Sequence, residues 1–417
     1  MLRSIQIVLD ASSHFQLIQY LLESSSLVKD VYNSSLFVLR QLFTSFSKSS
    51  LSLNEQIVVS NCQSLKVPPK LLNYYQLEKY MRMYHPDFFK SSLSSQIVQN
   101  CIRQASRDMT SFIRSLKEYN SNPNKFKSRP KLPQYCKKDT KSYFITNQDC
   151  RIRNDDLLFP KTKETLRIKL PSDFVRMKQV NVSRYFDTYK VCIVYEAVEK
   201  KRERPGNAII GIDLGVNNFA AIVGTDESVL INGRVIKSRN QYFNKKKALY
   251  QSYLNEGVYT SRKLIHLSKK RHQWMKNALH TISRRIIKYC VEKKVGTIVV
   301  GKNKEWKQNV ETGKKNNQNF VSIPHALFIR LLTYKANEEG IEVEESYTSK
   351  ASFIDRDAFT KDTLTGKRIQ RGLYQSKNGT IINADINGAA NIIRKVFKDI
   401  EISKEALMNV RKVNYCY

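Results

Sequence analysis

The stretch Ala208-Ile209-Ile210-Gly211-Ile212-Asp213-Leu214-Gly215-Val216-Asn217-Asn218 is an apolar run that ends on a carboxylate among small residues. It reads as a buried strand closed by a turn, with Asp213 at its end. A second carboxylate has a comparable setting far downstream, in Asn383-Ala384-Asp385-Ile386-Asn387-Gly388-Ala389-Ala390-Asn391-Ile392, where Asp385 opens a helical pattern. Both lie in a chain of 417 residues with formal net charge +34. A basic surface attracts a polyanion, and the acids left beside it are most simply metal ligands. The pair therefore points to Mg²⁺-dependent cleavage of a phosphodiester backbone, with Mn²⁺ as a substitute. Taken singly, each Asp could as well start a turn or cap a helix.

Working outward from Asp213, the order is three strands, a long helix, strand, helix, strand, loop and helix. The strands are expected at 208–213, 219–223, 234–236, 297–301 and 341–347. The long helix carries Met275, Leu279, Ile282, Ile286 and Tyr289 on one face. That is the order of a ribonuclease-H-like α/β fold, which collects acids at strand ends and on a late helix. Between Lys237 and Arg285 there are 13 basic residues and one acid, Glu256. Lys245, Lys246, Lys269, Lys270 and Arg271 are the phosphate contacts expected there.

Upstream, residues 1–15 include an alternating strand (Ile5, Ile7, Leu9), and 16–120 are helical in pattern, with a serine-rich connector at 47–52. Leu93, Ile97, Cys101, Ala105, Met109, Phe112 and Leu116 form one apolar stripe, the mark of a core-facing helix. Residues 120–141 hold seven cations, among them Lys125, Lys127, Arg129 and Lys131, against one acid, Asp139. Phe126, Tyr135, Tyr143 and Phe144 interleave with them, which fits phosphate contacts plus base stacking or a solvated basic loop. Short alternating stretches from 143 to 199 read as a small β-barrel or sheet, and a charged linker ends at Pro205-Gly206.

Composition excludes several classes. A hydrophobic fraction of 41% and a charged fraction of 26% are those of a globular chain. Residues 1–60 balance four cations with four acids, so the whole excess falls in 61–417, spread too widely for one membrane-surface helix. The seven cysteines form no C-x-x-C pair, so neither a disulfide framework nor a zinc ribbon is indicated. A reducing compartment follows, with no leader or spanning segment; the expected location is cytoplasmic, on the nucleoid when DNA is bound.

At this point the chain resembles the TnpB/OrfB family, the transposon-encoded RNA-guided nucleases related to type V CRISPR effectors and to Fanzor. The resemblance rests on Gly211-Ile212-Asp213-Leu214-Gly215-Val216-Asn217-Asn218 as a first RuvC motif and Asn383-Ala384-Asp385-Ile386-Asn387-Gly388-Ala389 as a third. Asn277-Ala278-Leu279-His280 with Ser283 matches the bridging helix, and Tyr347-Thr348-Ser349-Lys350 the opening of the zinc ribbon. Phe126-Lys127 and Arg129-Pro130-Lys131-Leu132-Pro133 match the basic stretch before the wedge domain. It implies a multidomain α+β protein with a first wedge strand (1–15), a helical recognition lobe (16–120), a wedge β-barrel (121–204) and a RuvC nuclease domain (205–417). The implied partners are a guide RNA and double-stranded target DNA beside a short flanking motif, bound by a monomer.

Two departures from the family pattern stand out. The family's usual fourth-strand Glu is replaced by Gly301, while Glu305 lies four residues on, beside Trp306. The resemblance to variants with a moved Glu makes Glu345 the third ligand beside Asp213 and Asp385, with Glu344 the runner-up. Alternation allows only one of them to face the site. The second departure is the ribbon position, 349–384, which lacks cysteine, so no zinc is expected; Asp355, Asp357 and Asp362 are expected to be solvated. The competing reading is a nuclease-inactive RNA-guided DNA-binding repressor. An actin-like ATPase also ends its first strand in Asp-Leu-Gly but needs further glycine-rich phosphate loops, and only 14 glycines occur here. No His-hydrophobe-His signature of a single-strand transposase is found.

Overall fold

The computed structural model describes residues 2–68, 71–198, 202–301, 313–346, 351–359, 364–370 and 372–415. It divides into two compact units, Met1–Glu199 and Lys200–Tyr417.

In the first unit, strand β1 (Leu2–Val8) precedes helices α1 (Phe15–Ser45), α2 (Leu53–Ser64), α3 (Tyr74–Tyr84), α4 (Asp87–Lys90) and α5 (Ser95–Ser121). Polar side chains set the helix starts. Ser52 and Glu55 form a capping box on α2, Asn73 and Gln76 one on α3, and Ser94 caps α5. Strands β2 (Tyr143–Thr146), β3 (Arg151–Arg153), β4 (Asp156–Leu158), β5 (Thr165–Arg167), β6 (Phe174–Tyr185) and β7 (Thr188–Ala197) follow. They make a four-stranded antiparallel sheet, β1-β7-β6-β2, and a three-stranded one, β3-β4-β5. β1 pairs with β7 from Leu2↔Glu196 to Val8↔Lys190, so the helices are an insertion within one sheet.

The second unit is built on a six-stranded sheet. Its strands are β8 (Ala208–Leu214), β9 (Asn218–Val223), β10 (Ser228–Asn232), β11 (Val295–Gly301), β12 (Glu342–Ser346) and, last in the chain, β16 (Val410–Val413). The spatial order is β12-β11-β8-β9-β10-β16, with β8 central and antiparallel to β9 but parallel to β11. Between β10 and β11 come α6 (Arg234–Ser252) and α7 (Arg262–Glu292); α8 (Lys314–Val321) and α9 (His325–Glu338) precede β12. β13 (Lys367–Gln370), β14 (Leu373–Gln375) and β15 (Ile381–Asn383) form a small antiparallel sheet, followed by α10 (Ala384–Val396) and α11 (Lys404–Met408). Alternation splits β8 between two cores. Ile210, Ile212 and Leu214 pack with Leu279 and Ile286 of α7 and Phe328 of α9. Ile209 lies on the opposite face, in the core that holds Ile386, Ala389 and Ile393 of α10.

Two expectations need correction. The strand expected at 234–236 is the first turn of α6; the third strand is Ser228–Asn232. Gly233 makes the break, because a Cβ there would lie 2.3 Å from the Val216 carbonyl, and the Asn232 side chain accepts from Arg234 N–H at 2.9 Å. Asp357, expected to be solvated, is only 5% exposed. Its carboxylate accepts from Ser352 N–H at 2.8 Å, Thr365 N–H at 3.0 Å and the Thr365 hydroxyl at 2.5 Å. Burial alone would raise its pKa; those hydrogen bonds outweigh it and hold the carboxyl below its usual value. Asp355 accepts from Lys377 N–H at 2.8 Å, whereas Asp362, Glu305 with Trp306, and 347–350 lie outside the described residues. Among the described residues no helix is long and apolar enough to cross a membrane.

The approach of α10 to β8 is backbone-close. A Cβ on Gly211 would lie 2.3 Å from the Ala389 carbonyl and 2.5 Å from Ile393 Cγ1. Gly211→Ala is therefore expected to destabilise the protein by about 1–3 kcal/mol, the cost of overpacking. A denaturation midpoint equal to the parent's would refute this.

Candidate functional site

Asp213 sits near the end of β8, beside Ala221 of β9. Asp385 lies in the first turn of α10, where Asn383 caps the helix by accepting from Asp385 N–H at 2.9 Å and Ile386 N–H at 3.3 Å. A helix N-terminus favours a negative group, and Asn218 donates from Nδ2 to Asp385 Oδ2 at 2.8 Å. A Cβ on Gly388 would meet Asp213 Oδ2 at 2.9 Å, so the absence of a side chain there lets α10 lie against Asp213.

The two acids feel each other. The Asp213 carboxyl is pushed up to about 7, first by burial beneath the flanking elements and next by the charge of Asp385, with Arg368 partly offsetting it. The side chain keeps some exposed surface, yet lies deep enough for burial to dominate. Two carboxylates close enough to repel, offering oxygen donors from two rigid elements, fit a hard divalent cation. The fit is incomplete: among the described residues no three His, Cys, Asp or Glu side chains gather closely enough to share a metal ion.

The register shows where Gly301, Glu344 and Glu345 stand relative to Asp213. Gly301 is Asp213's neighbour on β11, where a Cβ would be 3.4 Å from Asp213 Oδ1 and 2.6 Å from Ile392 Cδ1. On β12, Ser346 is level with Gly301, Glu345 with Val300 and Ile212, and Glu344 with Val299 and Gly211. Glu344 thus shares the face of Asp213 but lies two residues back along the strand, about 6.6 Å. Glu345 is closer to that level, but it shares the face of Val343, Val300 and Ile212. Both are exposed on a strand about 10 Å across from β8.

Beside Asp385 opens a cleft of about 810 Å³, lined by Asn217, Asn218 and Asn383 and by the cations Arg234, Arg368 and Lys412. Sequence reasoning did not single out these cations. Their signal was weak, since each is one Arg or Lys among 71 and only folding brings them together. Of the expected phosphate contacts, Lys245 and Lys270 are exposed on α6 and α7, and Lys246 and Lys269 are partly so. Arg271 is engaged internally, donating from Nε to Asn240 Oδ1 and from Nη2 to the Ser322 carbonyl, each at 2.8 Å. In the first unit Lys125, Lys127, Arg129 and Lys131 are exposed, with Lys125 paired to Glu118 at 3.0 Å. The aromatics interleaved there serve packing: Phe126 stacks edge-on with Tyr119, Tyr135 lies under Arg40, and Tyr143 is buried.

Comparison with known proteins bears on the family and the fold. A family model described as OrfB_IS605, probable transposase, matches residues 192–307, and one described as the TNB domain of Cas12f1-like proteins matches 325–392. The chain is 29% identical over 204 residues to the "TnpB-like protein ORF457" of Acidianus two-tailed virus, a match covering 46% of this chain and 42% of that protein. The match thus spans less than half of that relative's length. A cryo-EM structure of a Cas12f1–sgRNA–target DNA complex aligns with TM-score 0.52 and 14% identity over 91% of this chain and 82% of that one, a likeness of fold. The resemblance to the TnpB/OrfB family is borne out.

The raised Asp213 pKa has a consequence for stability. Between the ordinary value of 3.8 and about 7, the folded state keeps a proton that the unfolded chain has released. Stability therefore falls as pH rises through that window. Asp213→Asn is expected to remove this loss, raising Tm at pH 8 in chelator by roughly 8–16 °C for about 4 kcal/mol. A Tm–pH profile unchanged by the substitution would contradict the coupling.

Proposed function

We propose, with the TnpB/OrfB likeness as premise, that this chain is a transposon-encoded, RNA-guided DNA endonuclease that uses Mg²⁺, or Mn²⁺ in its place. The observation that carries the proposal is the Asp213–Asp385 pair beside a cleft whose charged walls are otherwise cationic. The second unit acts as a RuvC-like, ribonuclease-H-like nuclease domain. Its sheet order, with β8 central and α10 packed on β8 and β9, supports that assignment. Residues 1–15 and 121–204 act as the wedge, and 16–120 as the helical recognition lobe. The partners are a guide RNA and double-stranded DNA beside a short flanking motif, engaged by a monomer in the cytoplasm, on the nucleoid.

Asp213 and Asp385 would hold the metal from opposite sides of the α10–β8 contact. Divalent metal bound there supplies an activated water and positive charge for the leaving oxygen. Arg234, Arg368 and Lys412 take the phosphates that pass through the cleft and fix the scissile bond beside the acids. The third carboxylate comes from β12, where the family pattern selects Glu345 and the strand face favours Glu344. A nuclease-inactive RNA-guided DNA-binding protein is the second reading, and Gly301 with the incomplete acid cluster supports it.

The deciding experiment is co-purification with the flanking locus, sequencing of the retained RNA, and Mg²⁺-dependent cleavage of a matched plasmid. RNA bound with cutting supports the nuclease; RNA bound without cutting supports the second reading; no RNA overturns both. Asp213→Asn or Asp385→Asn is expected to reduce cleavage by more than ~10²-fold, since even outer-shell partners of metal ligands cost 10–100-fold.

Glu345→Gln is expected to abolish cutting while DNA binding survives. If it still cuts and Glu344→Gln does not, the ligand is Glu344; activity in both variants removes β12 from the site. Gly301→Glu, whose Cβ would crowd only the flexible tip of Ile392, is expected to restore cutting to the inactive Gln variant.

A further inference from the structure

Helices α6 and α7 line a second, open cavity of about 420 Å³, separate in its lining from the carboxylate cleft. Tyr242, Phe243 and Trp274 line it with Arg239, Lys263 and Lys270, and no acid is among its described lining residues. Tyr242 is 59% exposed, so one ring stands open to solvent. The Arg239 guanidinium lies 5.2 Å from the Trp274 ring centroid, and that of Arg271 4.8 Å from the Phe243 centroid. Guanidinium planes on rings extend a flat, cationic stacking surface.

Asn240 also lines the cavity and is 1% exposed. Its Oδ1 accepts from Arg271 Nε at 2.8 Å, while its Nδ2 has no hydrogen-bond partner among the described residues. A buried amide donor without a partner is costly in a purely structural role. Here it sits beside one open ring, two partly exposed ones and several cations, the combination that recognises an unstacked base and its phosphates.

We infer that this cavity receives an unpaired nucleobase of a single strand, with the base stacked on the rings, Asn240 Nδ2 donating to an acceptor on its edge, and Arg239, Lys263 and Lys270 taking the adjoining phosphates. The inference rests on the nucleic-acid reading above and is independent of cleavage. Either RNA or a displaced DNA strand supplies this chemistry.

The chain has two tryptophans, Trp274 and Trp306, so Trp306→Phe leaves Trp274 as the only indole reporter. This full-length variant is titrated with single-stranded RNA, single-stranded DNA and a wholly abasic strand of equal length and charge. The base-bearing strand is expected to quench Trp274 and to bind roughly 5- to 20-fold more tightly than the abasic one. Whichever of RNA and DNA does so is the source. That preference is expected to vanish in Tyr242→Ala, an exposed position, and in Asn240→Asp, which keeps the oxygen used by Arg271 but loses the donor. Equal binding of abasic and base-bearing strands without quenching overturns the site, as does a preference that survives both substitutions. Quenching retained in Asp213→Asn is expected, so a chain that quenches but never cuts refutes only the nuclease.

Discussion

The near-contact of α10 with β8 is the constraint on which the second unit's chemistry depends. Neither Gly211 nor Gly388 carries a Cβ, and a methyl group at either would strike the partner element or the Asp213 carboxylate itself. Because the gap is so small, the first turn of α10 comes down beside the end of β8, and Asp385 comes within electrostatic reach of Asp213. Burial and like charge then raise the Asp213 pKa, a cost that a stability-selected core would shed and a cation-binding site would keep. The same helix ties down the segment before it. Asn387 and Asn391 both donate to the Ala351 carbonyl, at 2.9 and 2.7 Å, and Arg394 donates to that of Asp357 at 2.7 Å. One helix thus positions a carboxylate and anchors the segment that precedes it.

The large positive charge is divided among tasks that composition cannot separate. Arg234, Arg368 and Lys412 line the cleft beside Asp385, whereas Arg271 is spent on Asn240 and on the Ser322 carbonyl. The aromatics near 126–143 follow the same logic in reverse. Interleaving with lysines fits base stacking, but Phe126, Tyr135 and Tyr143 fill space against their own unit. Rings suited to stacking lie instead between α6 and α7.

Local physics made much of the fold legible in advance. The apolar runs of β8 and β11 and the stripe of α7 are patterns that a single buried face imposes, and their positions match the sequence reading closely. The misplacement of the third strand shows the limit. Val229-Leu230-Ile231 and Val235-Ile236 are both short apolar runs, and the break between them depends on Gly233 meeting the Val216 carbonyl, a residue far back in the chain. β16 is a four-residue strand that exists because β10 offers it a parallel edge. Asp357 looked like a surface acid because nothing local announces that Ser352 and Thr365 will close around it.

By itself, the sequence determined a basic chain without C-x-x-C pairs, with a carboxylate ending one strand and another opening one helix, because charge and short-range periodicity are local properties. The family resemblance offered Glu344 and Glu345 as candidates for a third ligand, and alternation permits only one of them on a given face. Tertiary structure alone decided how close Gly301 lies to Asp213, that Glu344 shares Asp213's face while Glu345 shares that of Ile212, and which cations reach the cleft. The reason is physical. Register across three parallel strands and the depth of a helix on a sheet are set by contacts between residues far apart in the chain.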